Sequence, residues 1–325
     1  MTPGARPASP RQAVLLVSHG TVDDLDDLAA FLTTVRRGRP APTELVEELR
    51  RRYEAIGGSP LNAINAAVGE KLGRRLGADV PVAVANRLWR PFVRDVLGAV
   101  ARGSAQRVVV VPLAQHSAHV YADDARRGAE GLGVEIACAP SWGDRPDLCA
   151  AFAARIAARL EASPDRRRTT IIMTSHSLPK AVVDGGDPYE KEVRASASAV
   201  EATLRARGKL GLLGDDDGGP RVDMAFQSQG LAGHGTWLGP DLREALDAAR
   251  ARVHRHVVFA PIGFLADHVE VLYDLDVEAR QMSEERGLSY ARAASLNADD
   301  DFIDVLEAVA RPLLGLGRNA DGQHG

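Results

Sequence analysis

Cysteine is almost missing from this chain, with only Cys138 and Cys149 in 325 residues. Two cysteines so placed cannot form a disulfide framework, a zinc knuckle or a four-cysteine iron–sulfur site, and they fit a reducing cytoplasm. A run of about 18 apolar residues is also lacking, so no membrane-spanning helix is expected. Met1 to Pro10 has no apolar core of the kind a signal peptide carries. Contact with a membrane surface stays open on these grounds. Neither sign of charge dominates: 40 Lys and Arg stand against 44 Asp and Glu, a net charge of −4. The excess is spread along the chain, which excludes a nucleic-acid surface or an acidic polymer as partner. Hydrophobic residues make up 45%, enough for one large core or for two of about 150 residues each.

What is present is an alternation of β-rich apolar runs with helical patterns, the mark of an α/β fold with parallel sheets covered by helices. Strands are expected at 13–18, 80–85, 107–112, 134–138, 169–174, 222–227 and 257–260, and helices at 43–56, 91–102, 122–132, 146–162, 188–206 and 241–252. Residues 211–220, rich in Asp and Gly, read as a surface turn. A weak duplication runs through the pattern. Val14 to His19 resembles Ile171 to His176, each an apolar strand ending in Ser-His. Val109 to His119 resembles Val258 to His268, each a strand, a proline and a histidine seven residues later. Two similar lobes follow, 12–140 and 141–300, with a helix at 301–316 packing back on the first, a disordered N-terminus at 1–11 and a loose tail at 317–325. Ligands of open α/β sheets bind beyond the carboxyl ends of strands, so His19, His119, His176 and His268 are expected to converge on one cleft between the lobes.

The densest chemistry lies between Pro261 and Glu278. Directly behind His268 come Glu270, Asp274 and Glu278, four residues apart. On a helix they form one row, and like charges so stacked destabilise it. A solvated acidic face is one reading. The flanking Phe264, Leu265, Val269, Leu272, Tyr273 and Val277 favour another, an acidic lining that attracts a cation and hands it on. Among the other histidines, His116 is balanced between lining the cleft and local hydrogen bonding, and His234, His254, His256 and His324 read as surface residues. Trp142 and Trp237 read as core or lip packing.

Several blocks together resemble the ferrochelatases, which insert Fe²⁺ into a porphyrin at the end of haem synthesis. They are Ser175-His-Ser-Leu-Pro179, Asp187-Pro-Tyr189, Phe226-Gln-Ser228, Trp237-Leu-Gly-Pro240 and the whole of Pro261 to Glu278. The first half adds Arg36-Arg-Gly-Arg39, Arg52-Tyr53 with Gly57-Gly-Ser-Pro60, and Asn86-Arg87 ahead of Pro91-Phe92, so the resemblance spans about residues 12 to 316. It implies two Rossmann-like lobes of the chelatase kind with the active site between them. It implies His176 as the invariant histidine, Glu270 as the glutamate facing it across the porphyrin, and Asp274 and Glu278 as outer steps of the metal path. A histidine is a natural acceptor for pyrrole protons at neutral pH, although the carboxylate could share that work. Arg36 and Arg37 match positions near the propionate edge, where guanidinium forks suit carboxylates. Ser59, Arg87 and Phe226 are further porphyrin candidates.

The sequence also departs from its relatives. His19 stands where many carry a tyrosine close to the porphyrin metal, making imidazole a candidate metal ligand. Phe226 replaces an aromatic that is often tryptophan. A C-terminal cysteine cluster and an apolar C-terminal extension are both absent, so no prosthetic group, no iron–sulfur cluster and no integral anchoring are expected. The expected partners are porphyrin and Fe²⁺ as substrates and haem as product, for a cytoplasmic monomer. Protoporphyrin IX and coproporphyrin III are both compatible. A chelatase for Co²⁺ or Ni²⁺ with another tetrapyrrole, and a non-catalytic haem or porphyrin carrier, are the alternatives.

Overall fold

The structure, a computed structural model, describes residues 11–206, 220–229 and 236–316. The expectations for the N-terminus, the 211–219 turn, His234, His324 and the tail lie outside the described residues.

The first lobe runs β1 (Gln12–Ser18), α1 (Leu28–Val35), α2 (Thr43–Ala55), α3 (Leu61–Leu76), β2 (Val82–Asn86), α4 (Val93–Arg102), β3 (Arg107–Pro112), α5 (Ala118–Ala129) and β4 (Glu135–Cys138). The second runs α6 (Pro146–Glu161), β5 (Thr169–His176), α7 (Lys180–Asp184), α8 (Tyr189–Ala206), β6 (Arg221–Gln227), α9 (Leu242–Ala251), β7 (His256–Ala260), α10 (Val269–Leu272), a π-helical segment Asp274–Ala279, α11 (Arg280–Glu285), β8 (Ser289–Arg292) and α12 (Asp300–Leu313). Two four-stranded parallel sheets result, ordered β2-β1-β3-β4 and β6-β5-β7-β8. The second order is the first with four added to each number, so the Ser-His and proline–histidine repeats reflect one topology used twice. In each sheet the order reverses beside the central strand, between β1 and β3 and between β5 and β7, where such sheets hold their ligands.

The central strands β1, β3, β5 and β7 are apolar on both faces because helices cover both. Leu15, Leu16, Val109, Val110, Ile171, Ile172, Val258 and Phe259 are fully or almost fully buried. One core joins the sheets: Leu148, Phe152, Ile156 and Leu160 of α6 pack with Val109 and Val111 on one side and with Ile171, Met173 and Val258 on the other. Phe302, Ile303 and Leu306 of α12 enter the same core. The last turn of α12 is held by β1 and β3, since Gln12 Nε2 donates to Leu314 O at 3.0 Å and Arg107 Nη1 donates to Leu313 O at 2.5 Å.

The expected helix at 122–132 begins earlier and ends at Ala129, because Gly131 and Gly133 take left-handed φ values of 78° and 69° that close it. His254 is corrected from surface to interior: it is 7% exposed, with Nδ1 2.8 Å from Thr170 Oγ1.

Candidate active site

His176 closes β5. Its backbone is fixed from beneath: Tyr189 Oη donates to His176 O at 2.8 Å, which leaves the buried Ser175 Oγ to donate to Tyr189 Oη at 2.6 Å. Tyr189 is placed by Asp187, whose Oδ1 accepts from its N–H at 2.9 Å at the start of α8. The Asp187-Pro-Tyr block thus holds the His176 end of β5 against a helix of the same lobe. The imidazole faces Glu270, with Nε2 3.6 Å from its Oε1.

Glu270 lies in the first turn of α10. His268 caps that turn, its Nδ1 accepting from Glu270 N at 3.1 Å, which leaves the His268 ring proton on Nε2. From β6, Gln227 Nε2 donates to Glu270 O at 2.6 Å. The continuous helix expected here is replaced by this single α turn and the π-helical segment. Glu278 N bonds Tyr273 O at 3.0 Å, an i→i+5 contact that inserts one extra residue into the turn. The widened turn still aims Asp274 and Glu278 to one side, since both meet Arg52 of α2, whose Nη1 is 3.0 Å from Asp274 Oδ1 and Nη2 3.4 Å from Glu278 Oε1. Asp276 turns the opposite way, toward β8. Arg52 also bonds Glu48 and lies 4.8 Å from the Tyr273 ring centroid. It offsets the like charges that made the row costly in isolation.

Enclosure and neighbours set the protonation states. Burial alone would raise the Glu270 carboxyl, but His176, His268, His19 and Arg52 together hold it below the usual range. Desolvation among its neighbours depresses His19 to about 4, against the opposing pull of Glu270, although part of the residue remains exposed to solvent. His268 is also lowered, first by burial. Asp274, 3% exposed, is pushed up to about 7 by burial and by Glu270, although Ser228 and Arg52 favour its charged form. Near neutral pH the site therefore offers an ionised Glu270, neutral His19 and His268, and an Asp274 that is gaining charge.

The Asp274 shift has a stability consequence. From its ordinary value of 3.8 up to about 7, the folded chain keeps a proton that the unfolded chain has released, so this group lowers stability as pH rises through that window. Asp274→Asn removes the slope: its melting temperature should exceed that of the parent by more at pH 8 than at pH 4. An equal displacement at every pH would show that Asp274 does not titrate there.

Three of the four strand-end histidines come together. His19, directly after β1, His176 and His268 all act on Glu270, whereas His119 sits on α5 with Nε2 3.4 Å from Asp187 Oδ2. His116 is buried, Nε2 2.7 Å from Ser196 Oγ, joining α8 to the first lobe. Arg36 Nε and Ser59 Oγ are buried donors without a hydrogen-bond partner among the described residues. Arg37 is exposed in a left-handed conformation, φ 57°. Arg87 is engaged by the Asp124 carboxylate and lies 5.8 Å from the Tyr121 ring centroid. Phe226 is corrected: it is 0% exposed, packed with Tyr189, Val193 and Leu238, because β6 alternates and it is the next residue, Gln227, that bonds to the acidic segment. Sequence reading missed the roles of Arg52, Gln227, Ser228 and Tyr189. All four were visible only as members of the Arg-Tyr, Phe-Gln-Ser and Asp-Pro-Tyr blocks.

A two-lobed α/β frame with histidines at both central strand ends is the chelatase arrangement. SirB from Bacillus subtilis, solved with Fe³⁺, superposes with a TM-score of 0.56 at 13% identity over 93% of this chain and 95% of that one. A Deinococcus radiodurans protein described as similar to chelatases gives 0.52 at 16% identity, over 98% of this chain and 56% of that one. Within that class the sequence is more specific. The Ferrochelatase family model matches residues 11–313, and the chain belongs to that family. The Ferrochelatase of Acidobacterium capsulatum is 34% identical over 308 residues, covering 88% of this chain and 90% of that one. The Coproporphyrin III ferrochelatase of Mycobacterium marinum is 34% identical over 318 residues, covering 95% and 88%.

Proposed function

We propose that the protein inserts Fe²⁺ into a porphyrin with release of two protons, the reaction that completes a haem. The observation that carries the reading is the His176–Glu270 pair, 3.6 Å apart, with the Asp274 and Glu278 carboxylates leading toward it. Among the described residues no group of three or more His, Cys, Asp or Glu is arranged to hold a metal ion. An imidazole and a carboxylate that face each other offer a divalent cation donors of both kinds on its way into the macrocycle.

In this reading the iron enters past Glu278 and Asp274, whose oxygens suit a divalent cation, and displaces Arg52 from them. Glu270 meets the metal, and His176 accepts pyrrole protons. Arg36, Arg37 and Ser59 serve the propionate edge, where the unpartnered Arg36 Nε and Ser59 Oγ supply donors. Arg87 contributes on the His19 side after exchanging Asp124 for a propionate. No prosthetic group is required, and the enzyme works as a cytoplasmic monomer. No helix among the described residues is long and apolar enough to cross a membrane.

Anaerobic incubation with Fe²⁺ and either porphyrin, followed by visible spectroscopy, tests the proposal. Conversion of free-base to metalloporphyrin bands is expected, and binding without conversion would identify a carrier. Faster insertion of Co²⁺ or Ni²⁺ than of Fe²⁺ would redirect the assignment to another chelatase. The ratio of kcat/KM for coproporphyrin III and protoporphyrin IX assigns the substrate.

His19 gives a separate prediction. A neutral imidazole is a good ligand for iron, and at the end of β1 it can hold the haem product and make release limit turnover. His19→Ala should then weaken haem binding and leave kcat unchanged or higher. An unchanged Soret band in the variant's haem complex would remove His19 from the metal.

A further inference from the structure

We infer a second ligand site on the rear of the metal-path segment, a pocket for a compact polyanion bearing phosphate or carboxylate groups. The π-helical segment has two working sides. Asp274 and Glu278 face Arg52, while Asp276, with Arg280 of the adjoining α11, lines an open cavity of about 450 Å³ together with Arg159, Tyr290, Ala291 and Arg292. Arg159 stands near the end of α6, and the β8 residues form the free edge of the second sheet. The cavity thus lies between the helix that joins the lobes and the segment that carries the acids.

Its lining is cationic and not internally neutralised. Arg292 is committed: Nε lies 2.9 and 3.0 Å from the Asp276 oxygens, and Nη1 is 3.2 Å from Asp267. Tyr290 Oη donates to Asp276 Oδ1 at 2.8 Å. Those bonds engage both oxygens of Asp276, the one carboxylate that lines the cavity. Arg280 spends only Nε, on Asp276 O at 3.0 Å, and lies over the Tyr290 ring, 4.5 Å from its centroid. Arg159 makes no hydrogen bond or ion pair among the described residues. Two guanidinium groups with unspent donors therefore share one concavity. Guanidinium forks bind phosphate and carboxylate through paired charged hydrogen bonds, and the volume falls in the range of small-molecule pockets. A bound anion would tie α6 to the π-helical segment through Arg280.

Calorimetric titration of the metal-free, full-length protein with pyrophosphate and with citrate, at constant ionic strength, tests the site and separates the two chemistries. Saturable one-to-one binding of at least one is expected, with the porphyrin cleft empty or filled. Losing one charged contact should cost about tenfold in affinity, so Arg159→Ala and Arg280→Ala should each weaken binding about that much, and the pair more. Neither residue belongs to the cleft, so metal insertion in the absence of the anion should stay at the parental level. Amide exchange over residues 274–281 should slow with anion in the parent and not in the double variant. Absence of saturable heat at millimolar anion, equal affinity in the double variant, or displacement by porphyrin would each overturn the proposal. The last would place the anion at the propionate edge. Because the titration needs no turnover, its outcome is independent of the chelatase reading.

Discussion

His176→Ala is expected to lower the rate of metal insertion by about 10²–10⁴ while porphyrin binding stays within roughly tenfold, because loss of a general base removes rate without an equal loss of ground-state contacts. The structure makes this variant a clean one. His176 is held through its backbone carbonyl by Tyr189 and not through its ring, whose recorded contact is with Glu270. Removing the imidazole should leave the end of β5 in place and the melting temperature close to the parent's. It should also raise the Glu270 pKa, since His176 is the first of the neighbours that hold it down. The acid limb of any residual activity should therefore move to higher pH. Near-parental turnover in His176→Ala would remove His176 from proton transfer. Loss of activity with a large fall in melting temperature would make it a structural residue.

The duplicated topology was legible because both halves repeat the same local statements: an apolar strand ending in Ser-His, then a strand, a proline and a later histidine. Strand period and burial made β1, β3, β5 and β7 plain. Of the named elements, α1, α3, α7, α11 and β8 escaped, and three of them show why. The short edge strand β8 has only four residues, Ser289–Arg292, mixing serine, tyrosine and arginine, and its pairing to β7 is a long-range contact that no local pattern announces. Helix α1 packs Leu28 and Phe31 on Trp89 and Tyr53, so its apolar face is defined by residues far along the chain. Helix α3 carries Gly69, where an added Cβ would lie 2.6 Å from Val84. That glycine weakens the helical signal while allowing the helix to meet β2.

The site divides in the same way. His176, Glu270, Asp274 and Glu278 could be found because their spacing is local and their types are chemically expensive. Arg52 could not be assigned its role, being 222 residues from Asp274 in sequence. The π-helical turn was also invisible, since the Asp-Leu-Asp-Val-Glu spacing reads as a helix of either kind. Phe226 failed for a different reason. Its block was correctly singled out, but strand alternation gives the outward position to Gln227, and the aromatic supports the wall from behind.

Gly263→Ala should be the most damaging single-methyl change in the cleft. Gly263 follows β7 in the Pro-Ile-Gly block, and its N–H donates to Thr174 O at 2.9 Å. That bond draws the loop against β5. A Cβ at this position would lie 2.2 Å from Ser175 Oγ, 2.5 Å from its Cβ and 2.6 Å from its Cα. A flexible side chain could move aside, but the backbone of Ser175 belongs to the strand end that positions His176, and Ser175 Oγ is itself spent on Tyr189. Overpacking of this kind costs about 1–3 kcal/mol when the surroundings can adjust. Here the adjustment must separate β5 from the loop leading to His268 and Glu270, so the His176–Glu270 spacing should change as well. The expected result is a lower melting temperature together with a fall in kcat that approaches that of His176→Ala, whereas His176→Ala alone should spare the melting temperature. Ser175→Ala gives the control: it removes the Oγ contact and loosens Tyr189 without driving the two backbones apart, and should lose less activity than Gly263→Ala. If Gly263→Ala kept parental stability and turnover, the close approach of the two strand ends would have no part in setting the catalytic pair.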